Sequence, residues 1–119
     1  MSVTGANALA VFSAAKLLDD PAHAVIAHVA VGQRPLGLVI FNHGARIMVA
    51  DSGPGKPAGG ASGLAIINVP KALAGQPALV GTVASAATPR AVALYPGGQT
   101  LLAAGGSGTV QTIDVTALP

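Results

Sequence analysis

The 119 residues hold six Lys or Arg, four Asp and no Glu, for a formal net charge of +2 with His neutral. A chain of this length has room for one domain with one modest core, and scattered basic residues with 3% aromatics exclude a nucleic-acid surface. With no Cys there is neither a disulfide framework nor a thiolate metal site; 51% hydrophobic residues with 16 Gly and 9 Pro predict a densely turned β protein, not a disordered chain.

In chain order, the first apolar run lies in "MSVTGANALAVFSAAKLL", where no Lys or Arg precedes it, so no signal peptide is read within the chain. No stretch reaches the roughly 18–20 apolar residues of a membrane helix. The run "ALAVFSA" (8–14) carries the small polar Ser13 near its end. Asp19-Asp20-Pro21 reads as a turn, followed by a strand in "VIAHVAV" (25–31). Pro35 then introduces a hairpin, 36–41 with 46–51, whose tight turn needs positive φ at Gly44. The loop "SGPGKPAGGAS" (52–62) reads as a flexible insertion; Pro57 follows Lys56, so the order required of a phosphate-binding loop is missing. A third strand (63–69), a single helical turn of no architectural weight in "KALAG" (71–75) and a fourth strand (78–84) follow. The hairpin recurs as 90–95 with 100–105 about Gly98, and a last strand lies in "TVQTIDV" (109–115).

The second half repeats the first. Pro35 falls on Pro89, Phe41 on Tyr95, Gly44 on Gly98 and "VIAHVAV" on "LVGTVAS", all at an offset of 54 residues. Ser13, Asn68 and Asp114 occupy one position at a strand end, where each is expected to accept a backbone hydrogen bond. Four short strands per unit at this period are the mark of a β-propeller. The expected fold is all-β: a fragment of a propeller with about two four-stranded antiparallel blades and nine strands. Residues 1–35 end one blade, 36–89 make a full one and 90–119 an incomplete one.

These residues resemble the YVTN-repeat or lactonase-like β-propeller family. The matching pieces are Gly32-Gln33-Arg34-Pro35, "LGLVIFNHG", "IMVADSG" and "LAIINV", recurring as "TPRAVALYPGG", "LLAAGGSG" and "VQTIDV". The resemblance runs from about residue 8 to 118. The family's Pro-Asp-Gly turn is replaced by Asn42-His43-Gly44 and Pro96-Gly97-Gly98, and its strand-end Asp survives only as Asp114. It implies an extracytoplasmic protein, either a non-catalytic module for binding or scaffolding or, alternatively, part of a lactonase-like hydrolase acting on a cyclic ester. Two blades leave apolar faces uncovered, so the expected partners are the missing blades of a longer propeller or other copies of the chain.

A hydrolase needs Arg, His and carboxylates converging on one face; Arg34, Arg46 and Arg90 with so few acids favour the binding reading. The possible ligand contacts are Arg34, Arg90, His43 and Asp51, with no catalytic residue, cofactor or metal assigned. Arg34 and Arg90 flank equivalent prolines and are expected on one rim of a central channel, where positive charge attracts a small anion. His43 lies where the other copy has Gly97 and reads first as an exposed turn residue. His28 is expected on an outer strand facing solvent, and its spacing from His23 is no helical metal spacing. Asp51 ends a strand beside the long loop, whose backbone it is expected to cap.

Overall fold

The computed structural model describes residues 1–3, 7–32, 34–52, 63–85, 88–105, 108 and 110–119. Gln33 and the Gly-rich insertion beyond Ser52, with Lys56 and Pro57, lie outside the described residues. The chain is mostly β. Strands β1 (Ser2–Val3), β2 (Ala8–Phe12) and β3 (Val25–Ala30) form an N-terminal sheet in that order. The central sheet runs β4 (Pro35–Phe41), β5 (Arg46–Asp51), β6 (Gly63–Asn68) and β7 (Leu79–Val83). The C-terminal sheet holds β8 (Pro89–Leu94), β9 (Thr100–Gly105) and β10 (Val110–Asp114), with β9 in the middle. Every pairing is antiparallel. The helices are short: α1 (Ala14–Asp19) and α2 (Val69–Leu73).

Successive side chains of a strand point to opposite faces, and both faces of the central sheet are covered. Met48, Ala50, Leu64 and Ile66 pack on Leu101, Ala103, Ile113 and Val115 of the C-terminal part. Val49, Ala65 and Ile67 turn the other way and pack on Leu9 and Val29 of the N-terminal sheet, with Ala72 and Ala78. That two-sided burial is why β5 and β6 read as unbroken apolar runs with no alternation. Met48, Leu64, Ile66 and Ile67 are fully buried; each contributes roughly 1.5–3 kcal/mol on leaving water.

The 54-residue register extends to the irregularities. In the β4–β5 pair one extra residue, Leu36, falls between the Pro35–Asp51 and Gly37–Ala50 partners. In β8–β9 the extra residue is its equivalent, Arg90. A second bulge admits Val80 between the partners of Ile66 and Ile67, and its counterpart admits Ile26 between those of Val11 and Phe12. Such bulges bend and twist a strand locally, so matching bulges give the sheets matching curvature.

The helices follow from the strand-end polar residues. Ser13 Oγ accepts from the Lys16 N–H and Asn68 Oδ1 from the Lys71 N–H, capping α1 and α2. Asp114 Oδ1 accepts from the Thr116 N–H and starts a 3-10 turn, Val115–Ala117. The three equivalent positions therefore do one job.

Two expectations need correction. Ten strands are present among the described residues, not nine: β1 adds a strand, pairing Ser2 with Leu9 and Val3 with Ala8. Two residues are too short to show a period, and only the neighbour β2 reveals them. The segment expected as a negligible turn is the helix α2, which starts at Val69 because Asn68 caps it and which buries Ala72 in the junction between the first two sheets.

Candidate functional site

The best-formed polar feature lies where the chain crosses from the N-terminal to the central sheet. Val31, Gly32 and Arg34 of the crossing are held from both sides. On one side Asn7 O accepts from the Val31 N–H at 3.1 Å and Asn7 Oδ1 from the Arg34 N–H at 3.0 Å. On the other, the Gly32 N–H donates to Asp51 Oδ2 at 3.0 Å, and the Arg34 carbonyl accepts from both the N–H and the hydroxyl of Ser52, each at 3.0 Å. These bonds hold Arg34 at φ +52, a left-handed conformation that an L-residue adopts only under constraint.

Asp51 is 3% exposed. It follows Ile47 and Val49 along β5 and so shares their face, toward the N-terminal sheet. Its Oδ1 is buried and has no hydrogen-bond partner among the described residues. Burial pushes its pKa up to about 6 against the opposing pull of the Gly32 N–H. Beside it opens a cavity of about 500 Å³, walled by Val31, Gly32, Gly63, Ala65, Thr82 and Val83 among others. The loop that Asp51 is expected to cap lies, beyond Ser52, outside the described residues; the partner that is described is Gly32, 19 positions upstream, which the sheet junction brings to it.

The other candidates stand apart from this site. His43 is exposed at the tip of the β4–β5 hairpin, at the opposite end of the hairpin from Asp51, with φ +55. Its equivalent Gly97 has φ +102, so the position is a left-handed turn position in both copies. Gly44 and Gly98 next to them also have positive φ, +85 and +75. His43 borders a shallow groove between the two hairpin tips, with Asn42, Gly98, Gln99 and Thr116. Arg90 is exposed on the β8 bulge. Its carbonyl lies against Gly37, so the starts of β4 and β8, and with them Arg34 and Arg90, come to one end of adjacent strands. His28 is exposed on the outer strand β3, and His23 shares a 2.8 Å hydrogen bond with Asp20 at the surface.

Sequence reasoning missed Gly32 and Ser52, which clamp the crossing, and Gln111. Half-buried at the second junction, Gln111 donates from Nε2 to the Ala84 carbonyl at 3.1 Å. One signal was available for Asp51 itself: the 54-residue register sets it over Gly105, so the fold does not require an acid there.

Among the described residues no three His, Asp, Glu or Cys side chains gather to hold a metal ion. Nor is any described helix long and apolar enough to cross a membrane.

Fold and site define a mostly β protein of three stacked antiparallel sheets with a polar clamp at one junction. The hydrazine synthase of Kuenenia stuttgartiensis is a solved structure with the same fold, at a TM-score of 0.75 and 22% identity. The likeness covers 96% of this chain but 30% of that one, so the chain spans about a third of the structure it matches. No family model matches the chain, and no curated protein does.

Proposed function

We propose that this chain is a segment of a β-propeller, a non-catalytic module for binding or scaffolding, whose open sheet faces take further sheets of the same kind. One observation carries the reading: the faces follow the repeat. The central sheet meets the C-terminal sheet through Met48 and Ala50. Their equivalents, Leu102 and Ala104, lie on the face of the C-terminal sheet turned away from the central one, because Leu101 and Ala103 occupy the inner face. Val110, the equivalent of the buried Leu64, is 64% exposed on β10. Each junction thus joins two different faces, and a head-to-tail stack of this kind always leaves one face of each type open. The partners that fit are further blades of a longer polypeptide or other copies of this chain. Arg34 and Arg90, at one end of adjacent inner strands, serve on this reading as contacts for a small anion.

Sedimentation velocity across a range of concentrations tests the proposal. The chain should self-associate, and Val110→Lys, which places a charge on the open face, should shift the distribution toward monomer. A chain that stays monomeric at the highest concentration and unfolds in one cooperative step would refute it.

A further inference from the structure

We propose that the cavity beside Asp51, between the N-terminal and central sheets, binds a primary ammonium group carried on a short aliphatic stem, with the Asp51 carboxylate as its counter-ion. The two junctions of this chain differ at equivalent positions. Ala65 pairs with Val49 across the central sheet, and Gln111 pairs with Ala103 across the C-terminal sheet. Val49 and Ala103 are equivalent in the 54-residue register, so Ala65 and Gln111 are too. At the second junction the Gln111 side chain, an N–H donor on a short aliphatic stem, reaches across to the Ala84 carbonyl. At the first junction Ala65 stops at its Cβ, and a cavity of about 500 Å³ lies beside it.

The wall of that cavity also differs in charge. The positions equivalent to Asp51 are Val3, by its pairing with Ala8, and Gly105, by its pairing with Pro89. Each junction buries one side-chain acceptor without a donor, Asp51 Oδ1 here and Gln111 Oε1 at the second, but only here does it belong to a carboxylate. A buried acceptor left unpaired is costly, more so when charged, and a donor brought to it recovers that cost. The missing group is therefore a donor, and the carboxylate selects a cation. A compact ammonium with three donors suits Asp51 Oδ1, and Thr82, which pairs with Ala65 and shares its face, lies on the same wall; Val31, Ala65 and Leu79 line the space with apolar surface for the stem.

Protonation of Asp51 competes with the cation, since burial already raises its pKa to about 6. No second titratable side chain lines the cavity among the described residues. Arg34 is the charged residue of the described crossing segment packed over Asp51, and its side chain is exposed; Arg46, at the far end of β5, donates to the Pro119 carbonyl. On β3, His28 lines a separate groove. Binding does not depend on whether the open faces take further sheets.

The test uses the chain as it is, titrated with n-butylammonium chloride and followed at the Gly32 amide and the Asp51 carboxyl by NMR. Sodium chloride at equal ionic strength and neutral 1-pentanol are the controls. A saturable shift at Gly32 with butylammonium alone is expected, together with a fall in the Asp51 pKa as the ligand is added. Affinity should weaken about tenfold or more in Asp51→Asn, and likewise in Ala65→Gln, which copies Gln111 and fills the space. In the unsubstituted chain it should weaken as pH falls through about 6. A response equal to that of sodium chloride or pentanol, an affinity independent of pH between 7 and 5, or an Asp51→Asn chain that binds as well as the original overturns the proposal. Any of these results would leave water as the occupant of the cavity.

Discussion

Gly37→Ala probes the junction of the central and C-terminal sheets with a single methyl group. A Cβ at this position would lie 2.8 Å from the Arg90 carbonyl oxygen and 3.1 Å from the Ala91 Cα. Both neighbours are backbone, so no side-chain rotation relieves the clash and β4 must move away from β8. Overpacking of this kind costs about 1–3 kcal/mol. Against it stands a gain of roughly 0.4–1 kcal/mol from the reduced freedom of the unfolded chain. The net expectation is a loss of about 1–2 kcal/mol, or about 4–8 °C in Tm for a domain of this size. Urea unfolding followed by far-UV circular dichroism measures it, at one fixed protein concentration because association raises apparent stability. The control is Ala91→Gly at the equivalent position of the C-terminal sheet, which is exposed. That substitution should cost only the roughly 0.5–1 kcal/mol of a glycine in a strand. If Gly37→Ala is as stable as the original chain, β4 and β8 do not approach as described and the account of the junction fails.

Three further outcomes follow from single residues. The folded pKa of Asp51, about 6, lies above its ordinary value of 3.8, so the penalty for burying its charge is full above pH 6 and is relieved as pH falls toward 4. Stability should therefore rise by about 1–2 kcal/mol between pH 7 and 4.5, a two-unit shift discounted by half for the cavity's opening to water. Asp51→Asn should flatten that rise, and a stability that falls over this window in the original chain would contradict it. Asp114, whose pKa its hydrogen bonds to Thr116 lower, acts in the opposite sense only below the ordinary carboxylate range. His43→Gly should leave thermal stability unchanged or raise it by about 0.5 kcal/mol, since glycine is at ease in the left-handed region; a loss above about 1 kcal/mol would give His43 a contact beyond the turn. Asn68→Ala removes the cap of α2 and should cost about 1 kcal/mol in denaturant unfolding, while Asn68→Asp should be close to neutral.

Local chemistry and periodicity made much of this chain readable in one dimension. The two hairpins, the left-handed glycines Gly44 and Gly98, and the strand-end caps Ser13, Asn68 and Asp114 depend on neighbours a few residues away, so residue type and spacing determine them. The 54-residue register made the repeat visible and set Asp51 over Gly105. The remainder lies in contacts between sheets. Whether Ile66 or Ile67 faces the C-terminal sheet cannot be read from an unbroken apolar run, because both faces of the central sheet select the same residue types. β1 is a strand only because β2 lies beside it. Asp51 takes a hydrogen bond from Gly32, 19 positions upstream, and the difference between Ala65 and Gln111 has meaning only when the two junctions are set side by side. Both depend on the distance between packed sheets, which no local propensity encodes, and it was there that the tertiary structure decided where a carboxylate is buried and where space is left open.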